Sequence, residues 1–352
     1  MNKFYINGKF FSTRLTGVQR VGHELSHRLF NGLTGKGVTC EILQPPTWMS
    51  KSRKRALWTT LWEQFILPLR ARDGFLINLC NTAPILLQKN QLVVLHDAAV
   101  FDMPNNYSKS YARWAKFQMR KLSGSSSILS TVSEFSRQRL SLALEKSKSD
   151  FFLLREGSNH VHNISTSNFI LDRLNIRERK YILAVGSLQP GKNFRNLLTA
   201  MNEIDNELIL VIAGGGDSIV FSSGVKLDSD RYIQAGYVSD EELKSLYKNA
   251  TCFVQASTYE GFGLPLVEAM AIGTPVVCSS AASLPEVCLD AAIYFDPQSP
   301  SDIAKAINKV AFDENLKKSL IQAGSIRADH YNWDTSAKEL IDYLLLKSKN
   351  KA

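Results

Sequence analysis

Short apolar runs alternate with longer stretches of mixed polar and apolar residues along the whole chain. This alternation is typical of parallel β-sheets with helices on both faces, because a buried parallel strand is apolar throughout whereas a covering helix is apolar on one side only. The predicted strands are 3–6, 39–43, 75–79, 92–95, 127–132, 150–154, 181–185, 208–213, 232–235, 252–256, 275–278 and 293–295. The predicted helices are 18–29, 56–69, 110–122, 136–144, 194–201, 240–249, 266–272, 301–311 and 315–328. The pattern predicts the α/β fold class.

A polar, charge-dense run at 160–180 interrupts this pattern, and a fresh strand begins directly after it. With 352 residues the chain is long enough for two domains, each with its own hydrophobic core. We therefore predict two Rossmann-like, doubly wound domains, residues 1–170 and 171–352, with the last helix able to pack back on the first domain.

Basic residues exceed acidic ones in the first half only. Residues 1–165 hold 23 Lys or Arg against 10 Asp or Glu, whereas residues 166–352 hold 19 against 23. This asymmetry predicts an anionic partner for the first half, which could be nucleic acid, a membrane surface or a phosphorylated substrate. No run approaches the roughly 18 apolar residues of a membrane span, and the N-terminus lacks the apolar core of a signal peptide. We expect a cytoplasmic protein.

Two glutamates bracket a glycine-rich turn at 257–268, STYEGFGLPLVE, between a predicted strand and a predicted helix. Pro265 suits the start of a helix, so the amides just before it should lie at the positive helix end, where a phosphate binds well. Glu260 and Glu268 are acceptors suited to hydroxyl groups on either side of that anion. The alternative is an ordinary strand-to-helix loop with two acids.

A second loop of the same kind runs through 184–194, AVGSLQPGKNF, with Lys192 at the helix entry. Lys192 suits a diphosphate, although for this loop taken alone a solvated lysine at a helix start is the simpler account. Since the carboxyl ends of parallel strands meet in one crevice, both loops should face one ligand. The glycines at 214–216 are either a third wall of that site or a plain turn. Asp228 and Asp230 suggest a metal only weakly, and we expect none.

In the first half, His96 and Asp97 end the apolar strand 92–95, which places a titratable pair at the carboxyl edge of that sheet. The histidine is either part of the site or a hydrogen-bonded structural residue. Gly17 and Arg20 lie at a predicted helix start, where a glycine admits a phosphate or sugar closely; a plain helix-entry turn is the alternative.

Basic and aromatic residues alternate before and within the predicted helix 56–69, and the segment 111–121 repeats the mixture. This composition is typical of helices that lie at a membrane interface, although solvated lysines on ordinary helices explain it too. Nucleic acid is disfavoured, because no known nucleic-acid-binding motif accompanies the charge. The candidate membrane or acceptor residues are Arg20, Trp48, Arg53, Lys54, Arg55, Trp58 and Trp62.

With these residues laid out, the chain resembles the glycosyltransferases of family 4, which have the GT-B architecture of two domains facing across a cleft. Glu260 to Glu268 is similar to the E-x7-E motif of that family, and AVGSLQPGKNFRNLL, SLPEV, TGVQRV, LHD and TVSEFS stand in the family's order. The N-terminal motifs resemble those of bacterial mannosyltransferase-like members that build surface polysaccharides such as lipopolysaccharide or capsule.

The resemblance implies roles for individual residues. Glu260 would contact the transferred sugar, Glu268 the ribose, and Lys192 the diphosphate, while His96 would lie near the anomeric centre. One departure is Gly191, since many members have an arginine there. The implied catalytic residues are His96, Glu260 and Lys192, and the implied donor-binding residues are Gly17, Gly186, Lys192, Glu260, Gly261, Phe262, Gly263, Leu264 and Glu268.

The implied activity is that of a retaining, metal-independent hexosyltransferase without a cofactor. It would move a sugar, with GDP-mannose the first candidate, to a lipid-linked saccharide at the inner face of the cytoplasmic membrane. Two alternatives stay open: an epimerase of nucleotide sugars, which needs no acceptor, and a catalytically silent saccharide-binding subunit. An inverting reaction would need a base, for which His96 or Asp97 would serve. The oligomeric state cannot be inferred from the sequence.

Overall fold

The computed structural model describes residues 3–87, 89–215 and 231–349, so that Gly216, Asp228 and Asp230 lie outside the described residues. The chain divides into a first unit, Met1–Glu156 with Trp333–Ala352, and a second unit, Gly157–Asn332. The division falls earlier than the predicted boundary near residue 170. The reason is local: Ser158 donates its backbone N–H to Tyr331 O at 2.9 Å, which ties the segment after Glu156 to the second unit.

The first unit is built on a six-stranded parallel sheet in the order β2-β1-β3-β4-β5-β6. Most of its strands are buried along their length, as expected for a parallel sheet covered on both faces, whereas Thr39 and Glu41 of the edge strand β2 are exposed. They are β1 Lys3–Asn7, β2 Thr39–Leu43, β3 Phe75–Asn78, β4 Gln91–Val94, β5 Ile128–Thr131 and β6 Phe151–Leu153.

The helices of the first unit follow the strands in the alternating manner that the sequence predicts. They are α1 Gly17–Gly35, α2 Thr47–Lys51, α3 Arg55–Leu61, α4 Leu67–Arg70, α5 Ala99–Asp102, α6 Lys109–Ser123 and α7 Glu134–Ala143. A π-helical turn, Trp62–Ile66, joins α3 to α4 and places Trp62 and Glu63 in the interior.

The second unit holds another six-stranded parallel sheet, in the order β12-β11-β10-β7-β8-β9. Its strands are β7 Tyr181–Val185, β8 Ile209–Ala213, β9 Tyr232–Gly236, β10 Cys252–Gln255, β11 Val276–Ser279 and β12 Ala292–Phe295. Its helices are α8 Phe169–Arg173, α9 Phe194–Ala200, α10 Asp240–Asn249, α11 Leu264–Ile272, α12 Leu284–Cys288, α13 Pro300–Phe312 and α14 Glu314–Asp329. All predicted strands of both units are present to within one residue at either end.

The chain returns to the first unit with its last helix, α15 Trp333–Lys349, which lies along α1. Arg28 donates to Asp334 at 2.7 Å, and Lys36 pairs with Asp342 at 2.9 Å. The rings of Phe152 and Tyr343 stack with centroids 4.4 Å apart. The last helix is therefore an integral part of the first unit.

Between residues 3 and 349, apart from the undescribed positions, we find no helix that is both long and apolar enough to span a bilayer.

Candidate functional site

The second sheet changes direction between β7 and β10, because the chain builds outward from β7 to β8 and β9 on one side and from β10 to β11 and β12 on the other. In doubly wound sheets the ligand lies outside the carboxyl ends of the strands at this reversal. The two loops that the sequence singled out, 186–193 and 256–263, follow β7 and β10. They are therefore neighbours at the expected place.

Hydrogen bonds join these two loops into one body. Thr258 donates its backbone N–H to Gly191 O at 2.9 Å. The side chain of Asn193, whose backbone is left-handed with φ 57°, donates to Ala256 O at 3.0 Å and to Pro297 O at 2.7 Å. Gly191 thus contributes its backbone carbonyl to the link between the two loops.

Lys192 and Glu260 meet at the centre of the joined loops. Lys192 Nζ lies 2.6 Å from Glu260 Oε1, and the same oxygen accepts from Gln255 Nε2 at 2.8 Å and from Ser257 Oγ at 2.6 Å. Within the described part of the chain, Glu260 Oε2 accepts no hydrogen bond. The arrangement fixes the carboxylate by one oxygen and leaves the other for a ligand hydroxyl.

Gly186 lies beneath the stem of Lys192. A Cβ added at Gly186 would lie 3.4 Å from Lys192 Cδ, and the Gly186 backbone N–H donates to Ala213 O at 2.9 Å. The absence of a side chain at this position lets the lysine stem lie directly on the backbone at the end of β7.

The backbone carbonyl groups of the turn between the two glutamates accept hydrogen bonds from Ser283. Ser283 Oγ donates to Glu260 O at 3.0 Å and to Phe262 O at 2.8 Å, and the buried Phe262 ring meets Tyr331 edge-on at 5.1 Å. Gly263 has φ +112°, and a Cβ there would lie 3.0 Å from side-chain carbons of Leu266 and Leu284. Only glycine suits this position, directly before the first residue of α11, Leu264.

The amides at the start of α11 lack acceptors within the helix, as those at every helix start do, and they form the positive end of its dipole. The helix begins at Leu264, two residues earlier than predicted, with Pro265 in its first turn. It ends before Gly273, as the sequence predicted. Gly261, Phe262, Gly263 and Leu264 therefore lie at a positive helix end, which is compatible with the predicted anion site.

Glu268 lies on α11 and is buried, with a partner on each carboxylate oxygen. His160 Nε2 lies 3.2 Å from Oε1, and Tyr247 OH donates to Oε2 at 3.3 Å. Burial, together with the charge and the hydrogen bond of Glu268, raises the pKa of Tyr247 well above its usual value, so the phenol stays protonated and donates. Sequence reasoning missed both partners, and it took His160 as part of the polar run 160–180 that separates the two predicted domains.

His96 follows β4 and is buried at the carboxyl edge of the first sheet, as predicted. Its Nε2 lies 2.8 Å from Leu79 O, and its Nδ1 lies 3.3 Å from Glu156 Oε1. Because a carbonyl can only accept, Nε2 carries a proton, and the Nδ1 contact requires one further proton shared between His96 and Glu156. Neither ring nitrogen has a free lone pair in this arrangement. Glu156 was not identified from the sequence.

Burial lowers the pKa of His96, but the hydrogen bond and the charge of Glu156, with smaller contributions from Leu79 O and Asp97, outweigh it and raise the pKa overall. Asp97 Oδ1 accepts the backbone N–H of Ala99 at 2.8 Å. Asp97 thus lies just before α5 and accepts from the first residue of that helix, and His96 is held as a cationic or proton-sharing group.

The other candidates of the first unit lie at the start of α1. Gly17 is the first residue of α1, and a Cβ there would meet nothing within 4 Å. Arg20 lies on the next turn, with Nη1 3.9 Å from Glu24 Oε1. Both positions are compatible with a helix-entry site, and their predicted roles stay predictions.

The basic and aromatic segment is only partly a surface. Trp48 is 59% exposed and meets the half-buried Trp58 edge-on at 5.8 Å, whereas Trp62 is fully buried in the core beside Tyr5 and Leu43. Trp62 is therefore a core residue and is not part of a membrane-facing surface. It is the first residue of the π-helical turn, whose first three residues are buried. Arg53, Lys54 and Arg55 are exposed, and no residue that the structure describes forms an ion pair with them.

Within 3–87, 89–215 and 231–349, no three His, Cys, Asp or Glu side chains come together in a way that could hold a metal ion.

Comparison with known proteins relates the sequence of the chain to glycosyl transferases. Residues 167–327 match the family model described as "Glycosyl transferases group 1". The chain is 31% identical over 270 residues to the O-antigen chain mannosyltransferase B of Escherichia coli, covering 72% of this chain and 70% of that protein. It is 26% identical over 275 residues to the O-antigen chain mannosyltransferase RfbU of Salmonella typhimurium strain LT2, covering 76% and 72%.

A solved structure agrees with the fold. Sucrose-phosphate synthase from Thermosynechococcus elongatus has a TM-score of 0.77 with this chain, at 17% identity and with 100% of both chains covered. At this identity the likeness shows the fold alone, which is GT-B. The predicted fold class is confirmed.

Proposed function

Since the chain belongs to the family of group 1 glycosyl transferases, we propose that it is a retaining hexosyltransferase of family 4. It moves a sugar from a nucleotide-diphosphate sugar to a hydroxyl of a lipid-linked saccharide. The observation that carries the proposal is the contact of Lys192 with Glu260 at the sheet reversal, beside the start of α11. A cation and helix amides there suit a diphosphate, and a carboxylate with one free oxygen suits a sugar hydroxyl.

The chemical task is the departure of a nucleotide diphosphate from the anomeric carbon. Negative charge grows on the phosphate oxygens, and donors already in place stabilise it most effectively. In this proposal Lys192 turns from Glu260 toward the diphosphate when the donor binds, and the amides of Gly263 and Leu264 share the charge. Gly191 brings no guanidinium, so Lys192 and the helix start supply the stabilisation without a metal or a cofactor.

Retention is favoured by the state of His96. An inverting enzyme needs a general base with a free lone pair, and both ring nitrogens of His96 are engaged. In this proposal the acceptor hydroxyl loses its proton to the departing phosphate on the same face of the sugar. His96 contributes positive charge or a hydrogen bond near the anomeric centre.

GDP-mannose is the first candidate for the donor, because two of the similar proteins are named O-antigen chain mannosyltransferases. The decisive experiment incubates the protein with GDP-mannose and a lipid-linked saccharide and determines the anomeric configuration of the product by NMR. An α-linked product from the α-linked donor is expected. A β-linked product would contradict retention but not transfer.

An epimerase and a silent binding subunit are the competing functions. Incubation of the donor without acceptor separates them: an epimerase changes the sugar with no acceptor present, and a silent subunit never releases the nucleotide diphosphate. We expect slow donor hydrolysis that Glu260→Ala abolishes.

We further propose that the first unit docks on an anionic membrane through two neighbouring helical faces. On the helix that runs from α3 to α4, an apolar stripe recurs every fourth residue, with Leu57, Leu61, Phe65 and Leu69 53%, 37%, 57% and 69% exposed. On α6, Tyr111, Trp114 and Phe117 are also exposed. The helices are neighbours, since Gln64 and Gln118 both donate to Ala83 O, at 3.0 and 2.8 Å.

The charge around these faces suits anionic lipid. Residues 47–72 and 104–124 contain one acid, Glu63, which is buried and paired with Lys9 at 2.7 Å. The basic residues of the two segments are Lys51, Arg53, Lys54, Arg55, Arg70, Arg72, Lys109, Arg113, Lys116, Arg120 and Lys121. Exposed aromatic and aliphatic side chains between such charges are typical of helices that lie in a membrane interface.

Flotation with phosphatidylglycerol-containing liposomes tests the docking. Binding is expected at low salt and reduced at high salt, because exposed charges are screened. Phe65→Ser with Leu69→Ser should weaken it, whereas Leu142→Ser, at a leucine 62% exposed on α7, should not. Failure to float at low salt would remove the membrane from the proposal.

A further inference from the structure

Glu268 is held from two sides by residues that lie far from it in the sequence. His160 contacts Oε1 and Tyr247 contacts Oε2, at 3.2 and 3.3 Å, and all three side chains are buried. A carboxylate oxygen has two acceptor sites, so each oxygen retains one after its inner contact. The carboxylate therefore cannot rotate without losing a hydrogen bond, and its outer acceptor sites point in fixed directions.

The first of these residues, His160, comes from the segment that follows the division between the units. It lies in a 3-10 helix, Asn159–Asn163, directly after Ser158. The Ser158 backbone N–H donates to Tyr331 O at 2.9 Å and its hydroxyl to the same oxygen at 3.2 Å. Since the Tyr331 ring also meets Phe262, this segment is anchored to the glycine-rich turn as well as to α11.

The second residue, Tyr247, is fixed within the core of the second unit. It lies on α10, its ring meets Phe253 of β10 edge-on at 5.4 Å, and its backbone carbonyl accepts from Thr274 Oγ1 at 2.8 Å. The hydroxyl is thus brought to Glu268 by a rigid helix and a buried ring. Its donor role is fixed, because the phenol stays protonated.

We propose that His160 and Tyr247 are positioning residues for donor binding, which orient the Glu268 carboxylate to accept from the two neighbouring hydroxyls of a nucleotide ribose. The inference rests on the proposed function, which assigns Glu268 to the ribose. One remaining acceptor site on each of two neighbouring oxygens suits a vicinal diol, whereas a single hydroxyl would use only one of them and a phosphate would be repelled by the carboxylate. The 3-10 helix that carries His160 thereby belongs to the nucleotide site.

The test compares a ribonucleotide with its counterpart that lacks both hydroxyls. Binding of GDP and of 2′,3′-dideoxy-GDP to the full-length protein is measured by calorimetry, with UDP and 2′,3′-dideoxy-UDP in parallel. The wild-type protein should prefer the ribonucleotide by about tenfold or more, as expected for hydrogen bonds to a charged group. In His160→Gln the ribonucleotide should lose about tenfold in affinity while the dideoxynucleotide changes little, so the preference falls toward one.

Controls separate positioning from general support of the fold. His162→Gln alters an exposed histidine of the same 3-10 helix and should keep the wild-type preference. Tyr247→Phe removes one hydroxyl only, so it tests the same point should the substitution of His160 prevent folding, and it should reduce the preference in the same sense.

Equal losses for both nucleotides in the variants, or an unchanged preference, would overturn the inference while leaving the proposed function intact. A wild-type protein that binds nucleotides without preferring the ribose form would also overturn it, together with the ribose role of Glu268. A wild-type protein that binds neither GDP nor UDP would instead contradict the proposed function itself.

Discussion

Among single residues, Glu260 and Lys192 have the most directly testable roles in the proposed sugar transfer. We expect Lys192→Met and Glu260→Gln each to lower kcat/KM by about 100-fold or more, because each removes a preorganised group from the place where charge and sugar hydroxyls are held. Steady-state transfer assays measure this. Lys248→Met, at an exposed lysine of α10, is the matched control and should leave the rate unchanged. Near wild-type rates in Lys192→Met would contradict its role.

The shared proton of His96 and Glu156 predicts a pH dependence of stability. The pKa of His96 is raised in the folded protein, so the folded state binds this proton more tightly than the unfolded chain does. The resulting stabilisation is complete below the usual histidine pKa of about 6.5 and is lost as pH rises through the raised value. The free energy of unfolding of the wild-type protein should therefore fall as the pH rises from about 6.5 through the raised pKa of His96.

Urea denaturation at a series of pH values checks this sign. Glu156→Gln should flatten the dependence, because it removes the charge that holds the proton. Glu178→Gln, at an exposed glutamate, should retain the wild-type slope. A wild-type slope of the opposite sign would show that His96 is neutral in the folded protein.

The sequence identified the residues of the site whose signal is local, and it missed those whose partners are distant. Glu260 and Lys192 stand in recognisable strand-loop-helix turns, so each could be found alone, and the structure brings them into contact. His160 lies 108 residues from Glu268, and His96 lies 60 residues from Glu156. No periodicity or spacing reports a hydrogen bond across such a separation.

At the scale of elements, most strands were predictable because burial on both faces makes them largely apolar runs, whereas β2 and β9 are only partly buried. The short helices were harder, since α2, α8 and α12 span five residues each and carry too little periodicity. The run 160–180 looked like a linker because it is polar. It folds nevertheless, because Ile170 and Leu171 are buried on α8.

The packing of α1 gives a prediction for one element. A Cβ added at Gly22 would lie 2.8 Å from Phe10 Cγ and 2.9 Å from Cys80 Sγ, both closer than side chains tolerate. Gly22→Ala should therefore destabilise the first unit by about 1–3 kcal/mol, although alanine is the better helix former.

Gly35→Ala is the control on the same helix, because a Cβ there meets nothing within 4 Å. It should be neutral or stabilising by up to about 1 kcal/mol. Chemical denaturation followed by circular dichroism measures both changes. Equal stability of the two variants would show that α1 does not lie against Phe10 and Cys80.

For the whole molecule, a ligand that binds only the folded state raises the melting temperature. At a concentration of about 100 times its Kd it stabilises by about 2.7 kcal/mol. We expect GDP and GDP-mannose to give larger thermal shifts than UDP, dTDP or their sugars, and Glu268→Ala to abolish the shift. A larger shift with UDP would leave the transferase proposal in place and replace the first candidate for the donor.

The return of the chain to the first unit through α15 has a consequence for biosynthesis. The second unit is continuous in sequence, whereas the first lacks its last helix until residues 333–349 have been made. Domains generally fold as units during translation, the earlier part of the chain first. Here we expect the reverse: the N-terminal sheet leaves the ribosome first, but the surface of α1 that α15 covers stays exposed until residues 333–349 have been made. During this interval the nascent chain is most open to chaperones and to aggregation.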